Sequence, residues 1–244
     1  MIIHVLDCET TGLDPEKDRV VEIADVPVCS ALCVQGEKEE WLALEGRATL
    51  VNAQISIPPE ATGVHHILDA DVVGKPWLGN AITLVTGSKY GDDVEIIAAH
   101  NARFDRDFLP LLAPKKWIDT YRCALHVWPL APNHKNGTLY YWLGLPRRDD
   151  LIAAGIGTHR ALFDANMTAA ILIKLLELRS VDELLKLSTK AVVLIKVGFG
   201  KYFGKLWTEV PKDYLQWATG QDFDPDVKFT VKYELKRRAG LPAS

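Results

Sequence analysis

The chain has 244 residues, 48% hydrophobic and 25% charged, with a formal net charge of −4. This balance describes a globular protein with a full core and excludes a low-complexity or disordered chain. The slight acidity excludes a global basic field for capturing polyanions, although a groove or a bound metal can reverse the potential locally.

No apolar run reaches membrane-spanning length, and no basic amino-terminal segment precedes a long apolar stretch. The four cysteines, Cys8, Cys29, Cys33 and Cys123, lack zinc-type spacing and read as small buried hydrophobes of a reducing compartment. The expectation is a cytoplasmic protein without a membrane partner.

Ile2, Ile3, Val5 and Leu6 predict a strand buried on both faces, running into Asp7-Cys8-Glu9-Thr10-Thr11-Gly12-Leu13. Side chains two apart on a strand project together, so Asp7 and Glu9 stand side by side at its carboxyl end. Adjacent carboxylates repel unless a cation or a shared proton relieves them. Two readings follow: ligands for a hard divalent metal, or solvated residues closing the strand. Arg19 to Val28 predicts a second strand paired back on the first, and Ala31 to Leu44 a third, with a hairpin turn around Gly36. Ala48 to Asn52 adds a short strand.

Pro58-Pro59-Glu60 opens a helix toward His65 and His66; Asp69 to Val73 reads as one more turn capped by Asp69. Ala81 to Thr86 is a short helix closed by Gly87. Val94 to Ala99 predicts a central strand leading into His100-Asn101-Ala102-Arg103-Phe104-Asp105, and Phe104, Phe108, Leu111 and Leu112 have helical spacing. A strand at Trp117-Ile118 precedes a helix capped by Asp119 or Thr120 and ended by Pro129. Asn133 to Gly137 is a polar loop, Thr138 to Leu145 a short helix, and Pro146 to Gly157 a mobile-looking connection.

Ala165 to Leu178 is a strong helical pattern preceded by His159-Arg160-Ala161-Leu162-Phe163-Asp164. Two positions five apart on a helix do not share a face. His159 and Asp164 therefore converge only if His159 precedes the helix and Asp164 sits in its early turns. Val181 to Ser188 extends or follows this helix. Ala191 to Val197 is a β-branched run, Phe199 to Lys205 a glycine-punctuated hairpin or turn, and Pro211 to Trp217 a helix. Pro225 to Arg238 is a last helix whose carboxyl end is basic.

Asp-Cys-Glu-Thr-Thr-Gly-Leu at 7–13, His-Asn-Ala-Arg-Phe-Asp at 100–105 and His-Arg-Ala-Leu-Phe-Asp at 159–164 occur in that order. They resemble the three exonuclease motifs of the DnaQ-like DEDD superfamily. His159, five residues before Asp164, matches the DEDDh subclass with its catalytic histidine. The Phe-Gly-Lys-Tyr-Phe-Gly-Lys element at 199–205 extends the resemblance over nearly the whole chain.

The resemblance implies an α/β, ribonuclease-H-like fold: a mixed five-stranded sheet flanked by helices, plus a small carboxy-terminal module. The shift in character after Leu178 divides the chain into an exonuclease domain at 1–180, a linker at 181–197 and the module at 198–244, whose lysines and aromatics read as added grip on longer DNA. The resemblance further implies 3′→5′ hydrolysis of DNA, from a single-stranded or duplex 3′ end, with two divalent ions, Mg²⁺ or Mn²⁺. Asp7, Glu9, Asp105 and Asp164 would be the metal ligands, Asp105 acting directly or through water. His159 would be the general base, a role suited to an imidazole with an ordinary pKa of about 6.5.

Thr10, Thr11, Leu13, His65, Asn101 and Phe104 match family positions at the terminal nucleotide, with Leu13 wedging against its base. Ordinary core remains open for Leu13 and Phe104, and a satisfied polar contact for His65 and His66. In the module, Lys201, Lys205, Tyr202, Trp207, Tyr214 and Trp217 combine cations with aromatics, which suits single-stranded nucleic acid. A packed core of those aromatics is the competing reading, and the expectation favours it. The motifs do not separate DNA from RNA, because both use the same metals and phosphate chemistry, so a 3′→5′ exoribonuclease stands as one alternative. A non-catalytic binding or proofreading-accessory subunit stands as another, against the presence of all five catalytic positions.

Overall fold

The computed structural model describes residues 1–31 and 40–242. Three strands come first: β1 (Ile2–Thr10), β2 (Val20–Ala31) and β3 (Glu40–Ala43). β4 (Arg47–Leu50), β5 (Ile96–Ala99) and β6 (Lys116–Asp119) complete one mixed sheet. Its order is β3-β2-β1-β5-β6, with β4 also on β2. β1, β5 and β6 run parallel, and β2 is antiparallel to β1, β3 and β4. The sheet thus has six strands rather than the expected five. β3 pairs with the end of β2 at Val28 to Ala31 and β4 with Glu22 to Asp25, so both lie along β2. The hairpin turn expected around Gly36, and Cys33, lie outside the described residues.

The helices are α1 (Pro59–His65), α2 (Asp69–Val72), α3 (Leu78–Thr86), α4 (Ala102–Phe108), α5 (Thr120–Val127) and α6 (Asn136–Trp142). They continue with α7 (Asp149–Ala153), α8 (Ala161–Leu176), α9 (Val181–Leu187), α10 (Lys212–Ala218) and α11 (Pro225–Arg238). Alternation along β1 divides its side chains between two cores. Ile3 and Val5 join the cluster that contains Ile171, Leu172 and Leu175 of α8. Leu6 and Cys8 join Ile82 and Val85 of α3 and Phe108 of α4. β1 is consequently buried on both faces, as its near-continuous apolar run predicts.

Several local expectations change. Asp69 does not cap α2: its carboxylate accepts from the Ser56 hydroxyl at 2.8 Å and the Ile57 N–H at 2.7 Å, while Asp71 accepts from Leu68 N–H. The connection at 146–157 contains α7, and α6 starts at Asn136 instead of Thr138. Ala191 to Val197 forms no strand beyond an isolated bridge between Lys196 and Leu206. Its polar backbone is bound instead by α11, through Val192 N–H to Asp226 at 2.9 Å and Leu194 N–H to Thr230 at 2.9 Å.

The stretch expected as a linker begins with α9, opened by a Ser180–Glu183 capping box and packed through Leu184 into the same core as α8. The carboxy-terminal residues form their own cluster around Val197, Trp207, Val210, Leu215 and Val231. Arg122 of α5 joins this cluster to the rest by an ion pair with Asp226 at 2.7 Å. Cys8 and Cys123 are buried free thiols and Cys29 is half-buried. Among the described residues no helix is long and apolar enough to cross a membrane.

Candidate active site

The site forms where β1 ends beneath the start of α8. Asp7 and Glu9 share the face of Ile3 and Val5, the face covered by α8. Asp164 sits in the first turn of α8 and His159 in the segment before it, as the five-residue spacing requires. Asp7, Glu9 and Asp164 each present a carboxylate oxygen, and these atoms all lie within 4.8 Å of one another.

The electrostatics show what this proximity costs. Burial, then the charges of Asp105, Asp164 and Glu9, holds the Asp7 carboxyl well above the usual carboxylate range. Burial, then Asp164 and Glu22, pushes Glu9 up to about 8, while Arg160 pulls it down. Burial likewise raises Asp164, against the hydrogen bond from the His159 N–H. Clustered oxygens with no internal cation of matching strength among the described residues fit a hard divalent metal, which accepts oxygen donors and removes the repulsion.

Asp105, buried in the first turn of α4, is outside the three-carboxylate group but is the largest charge acting on Asp7. Burial pushes its own pKa up to about 8, opposed by its own backbone N–H and, less, by that of Cys8. His159 is exposed, with a left-handed φ of 61°. Its N–H donates to Asp164 Oδ2 at 2.9 Å, closing the tight turn that leads into the helix. Gly155, at φ 77°, supplies another left-handed position in the preceding loop.

The remaining candidates separate by environment. Thr10 and Thr11 are buried, and their hydroxyls donate inside the loop, to Gly12 O at 2.6 Å and to Asp18 Oδ1 at 3.0 Å. Asp18 also accepts from Asp14 N–H at 2.9 Å. A Cβ on Gly12 would press on the Asp18 carboxylate, so glycine leaves that acid room to close the loop. Leu13 at its tip is 84% exposed and is therefore not core. His65 is buried, its Nδ1 accepting from Ile67 N–H at 3.0 Å. Its Nε2 faces the Thr10 carbonyl without closing a hydrogen bond of normal geometry, and burial lowers its pKa.

Asn101 is exposed at φ 71°, its N–H donating to Asp119 Oδ1 at 3.2 Å. Phe104 is half-buried, its ring 4.9 Å from Phe108. His66 caps α1 in a left-handed conformation and is exposed.

Sequence reasoning missed Glu22 and Arg160. Glu22 pairs with Glu9 across β1 and β2, which places a third carboxylate on the same face beside the cluster. It accepts from Arg160 Nη2 at 2.6 Å, from Arg160 Nε at 3.0 Å and from the Ala161 N–H at 3.0 Å. The pair therefore clamps the residue after His159 and the first residue of α8. Only the strand register discloses it. The available signal was an acid within the apolar run of β2, a run that also carries Asp25.

A model of an exonuclease family (RNase_T: Exonuclease) matches residues 4–172, more than half of the chain. The chain is 30% identical over 242 residues to Exodeoxyribonuclease 10 of Escherichia coli strain K12, covering 96% of this chain and 99% of that protein. It is 31% identical to the DNA polymerase III subunit epsilon of Treponema pallidum over 137 residues, 53% of this chain and 58% of the relative. Among solved structures it is similar to Exonuclease X in complex with 5′ overhanging duplex DNA, with a TM-score of 0.60 and 30% identity. That match covers 76% of this chain and 99% of the other. An Escherichia coli exonuclease I–single-stranded DNA complex, at 16% identity and a TM-score of 0.53, shares the fold. Exonucleases of this family use divalent metal ions, in keeping with the three clustered carboxylates. By its family match and by its relationship along nearly its whole length to an exodeoxyribonuclease, the chain belongs to the RNase_T exonuclease family, built on the ribonuclease-H-like fold.

Proposed function

We propose that the chain is a metal-dependent 3′→5′ exodeoxyribonuclease, which hydrolyses the terminal phosphodiester of a DNA strand and releases nucleotides from its 3′ end. The observation that carries this reading is the convergence of Asp7, Glu9 and Asp164 within 4.8 Å beside the turn that bears His159. Asp7, Glu9 and Asp164 are assigned to hold two divalent ions, Mg²⁺ or Mn²⁺, with Asp7 shared and Asp105 assisting directly or through water. Bound there, such ions would supply Lewis-acid stabilisation of the charge that develops in phosphodiester hydrolysis.

The protein groups divide the remaining work. His159 takes the proton of the attacking water on its imidazole, and its exposure leaves the ring free to reach that water. The N–H bond to Asp164 ties its backbone to the carboxylate cluster. Thr10, Thr11 and Gly12 hold the loop rigid enough to project Leu13 as an apolar wedge against the terminal base. Stacking of that kind tolerates any base, as an end-acting enzyme requires. Asn101, Phe104 and His65 are assigned to the margins of the same nucleotide.

The test uses a DNA strand labelled at its 5′ end beside an RNA strand of equal sequence, each with Mg²⁺, Mn²⁺ or EDTA. The expected result is a metal-dependent ladder shortening from the 3′ end of DNA. A ladder on RNA alone overturns the substrate, and intact strands in every lane overturn the activity.

A further inference from the structure

The carboxy-terminal cluster contains a row of aromatic rings that ordinary packing only partly uses. Tyr202 lies 4.7 Å from Tyr214, Tyr214 5.0 Å from Trp217, and Trp217 6.0 Å from Phe223. The row continues inward through Phe199 to Trp207, which is only 2% exposed. Elsewhere the row is open: Trp217 is 51% exposed, and Tyr202 and Tyr214 are half-buried. Lys201 and Lys205 place their ammonium groups 5.4 Å and 5.8 Å from the centre of the Tyr202 ring, and both are exposed. Gly200 and Gly204, at φ 62° and 80°, provide the backbone turns that bring these two lysines to the same ring.

The charge of this part of the chain also departs from the whole. From residue 191 onward there are nine Lys and Arg against six Asp and Glu, a net +3 within a chain of −4. Several of the acids are already engaged. Asp226 binds Arg122, Glu234 binds Arg237 and Arg238, and Asp222 binds Lys228. Lys201 and Lys205 have no carboxylate partner among the described residues.

We infer that this face is a second contact for the substrate strand: single-stranded DNA stacks its bases on Trp217 and the Tyr202–Tyr214 edge, with its phosphates on Lys201 and Lys205. Cations interleaved with exposed rings suit a flexible polyanion with unpaired bases. A protein partner would have less use for lysines already held over a ring, and duplex DNA would offer no base faces. The anchor of the module supports a shared strand. Asp119 accepts from Arg122 N–H at 3.1 Å and from Asn101 N–H at 3.2 Å, and the Arg122 side chain binds Asp226. The module is therefore fastened to the segment that carries Asn101. The inference rests on the proposed DNA substrate.

The experiment compares full-length wild type, Trp217→Ala, Trp217→Phe and Lys201→Ala/Lys205→Ala on strands of about 4 and about 30 nucleotides, a range that brackets ordinary single-strand site sizes. Turnover is measured with Mg²⁺, and binding of the long strand by fluorescence anisotropy in EDTA. Trp217→Ala is expected to raise KM and Kd for the long strand about five- to hundred-fold, the usual range for one stacked base. KM for the short strand and kcat should stay at wild type, and Trp217→Phe should retain most of the affinity. The lysine pair should flatten the dependence of log Kd on log salt by about 1.4, or about 0.7 per lost phosphate contact. Unchanged affinity for the long strand in folded variants overturns the inference, and so does an equal loss on both lengths. Failure of the hydrolysis reading is separate: it shows as wild-type protein that binds the strand and leaves it whole.

Discussion

Glu22→Gln is the substitution that most sharply separates a structural role at the site from a positioning one. The Glu22 side chain is 4% exposed and that of Arg160 34%. Its two oxygens serve three donors: Arg160 Nη2, Arg160 Nε and Ala161 N–H. A glutamine keeps one acceptor oxygen, best used by Arg160 Nε and Ala161 N–H together, and turns an amide NH₂ toward Arg160 Nη2. One charge-assisted hydrogen bond is lost, worth about 1.5–3 kcal/mol when buried. Because the guanidinium is one-third exposed and can recruit water, the lower end applies, about 1.5–2 kcal/mol. For a chain of this size, that lowers Tm by about 3–8 °C.

The effect on turnover should be larger than stability alone explains. The clamp holds the residue after His159 and the helix turn that carries Asp164, and a displacement of about 1 Å at such groups costs about a hundredfold in rate. The expected kcat is therefore about 10- to 100-fold below wild type at a temperature where the variant is fully folded. Arg160→Ala should behave alike, and the double variant should be little worse than either single one. Thermal melts and single-turnover cleavage of a labelled strand provide both readouts. A lowered Tm with wild-type kcat would refute the positioning role and leave the pair as a structural clamp.

Three further outcomes are expected. His159→Ala should lower kcat about 10²- to 10⁴-fold while anisotropy shows DNA affinity within about twofold, and loss of binding in parallel would contradict the general-base assignment. Leu13→Ala should leave Tm unchanged, since exposed substitutions stay within about 0.5 kcal/mol; its KM for a 3′ end should rise, and an unchanged KM removes the wedge. Without metal, Glu9 and Asp105 titrate near 8 instead of in the ordinary carboxylate range, so the folded state binds more protons than the unfolded one between about pH 4.5 and 8. Stability in EDTA should then fall as pH rises through that window. Mg²⁺ should restore it and release protons near pH 7, as read by calorimetry in buffers of different ionisation enthalpy. A flat Tm across the window would contradict the crowding of carboxylates.

What could be read from residues alone followed from short-range geometry. Asp7 and Glu9 were legible because period-two alternation places them together whatever the rest of the chain does. His159 and Asp164 were legible because helical geometry forbids their convergence unless one precedes the helix. Glu22 was hidden because its place depends on the register Glu9–Glu22, set by the loop closure around Asp18. Composition could not decide between core and surface for Leu13, which only the loop path settles. Ala191 to Val197 had strand chemistry, but its backbone groups found Asp226 and Thr230 before a sheet edge. The aromatics of the module divided: Trp207 took the core and Trp217 remained half outside.

The most direct test of the central claim is Asp7→Asn, which keeps the shape of the side chain and removes the charge at the most crowded carboxylate of the site. Wild type and variant are compared on a 5′-labelled DNA strand with Mg²⁺, alongside calorimetric titration of Mg²⁺ or Mn²⁺ into each protein. The expected result is a 3′-shortening ladder for wild type alone, with divalent-ion binding weakened in the folded variant. A variant that cleaves within about tenfold of wild type, where removal of a positioned catalytic group ordinarily costs about 10²-fold or more, would contradict the assignment of Asp7, Glu9 and Asp164 as the catalytic metal site.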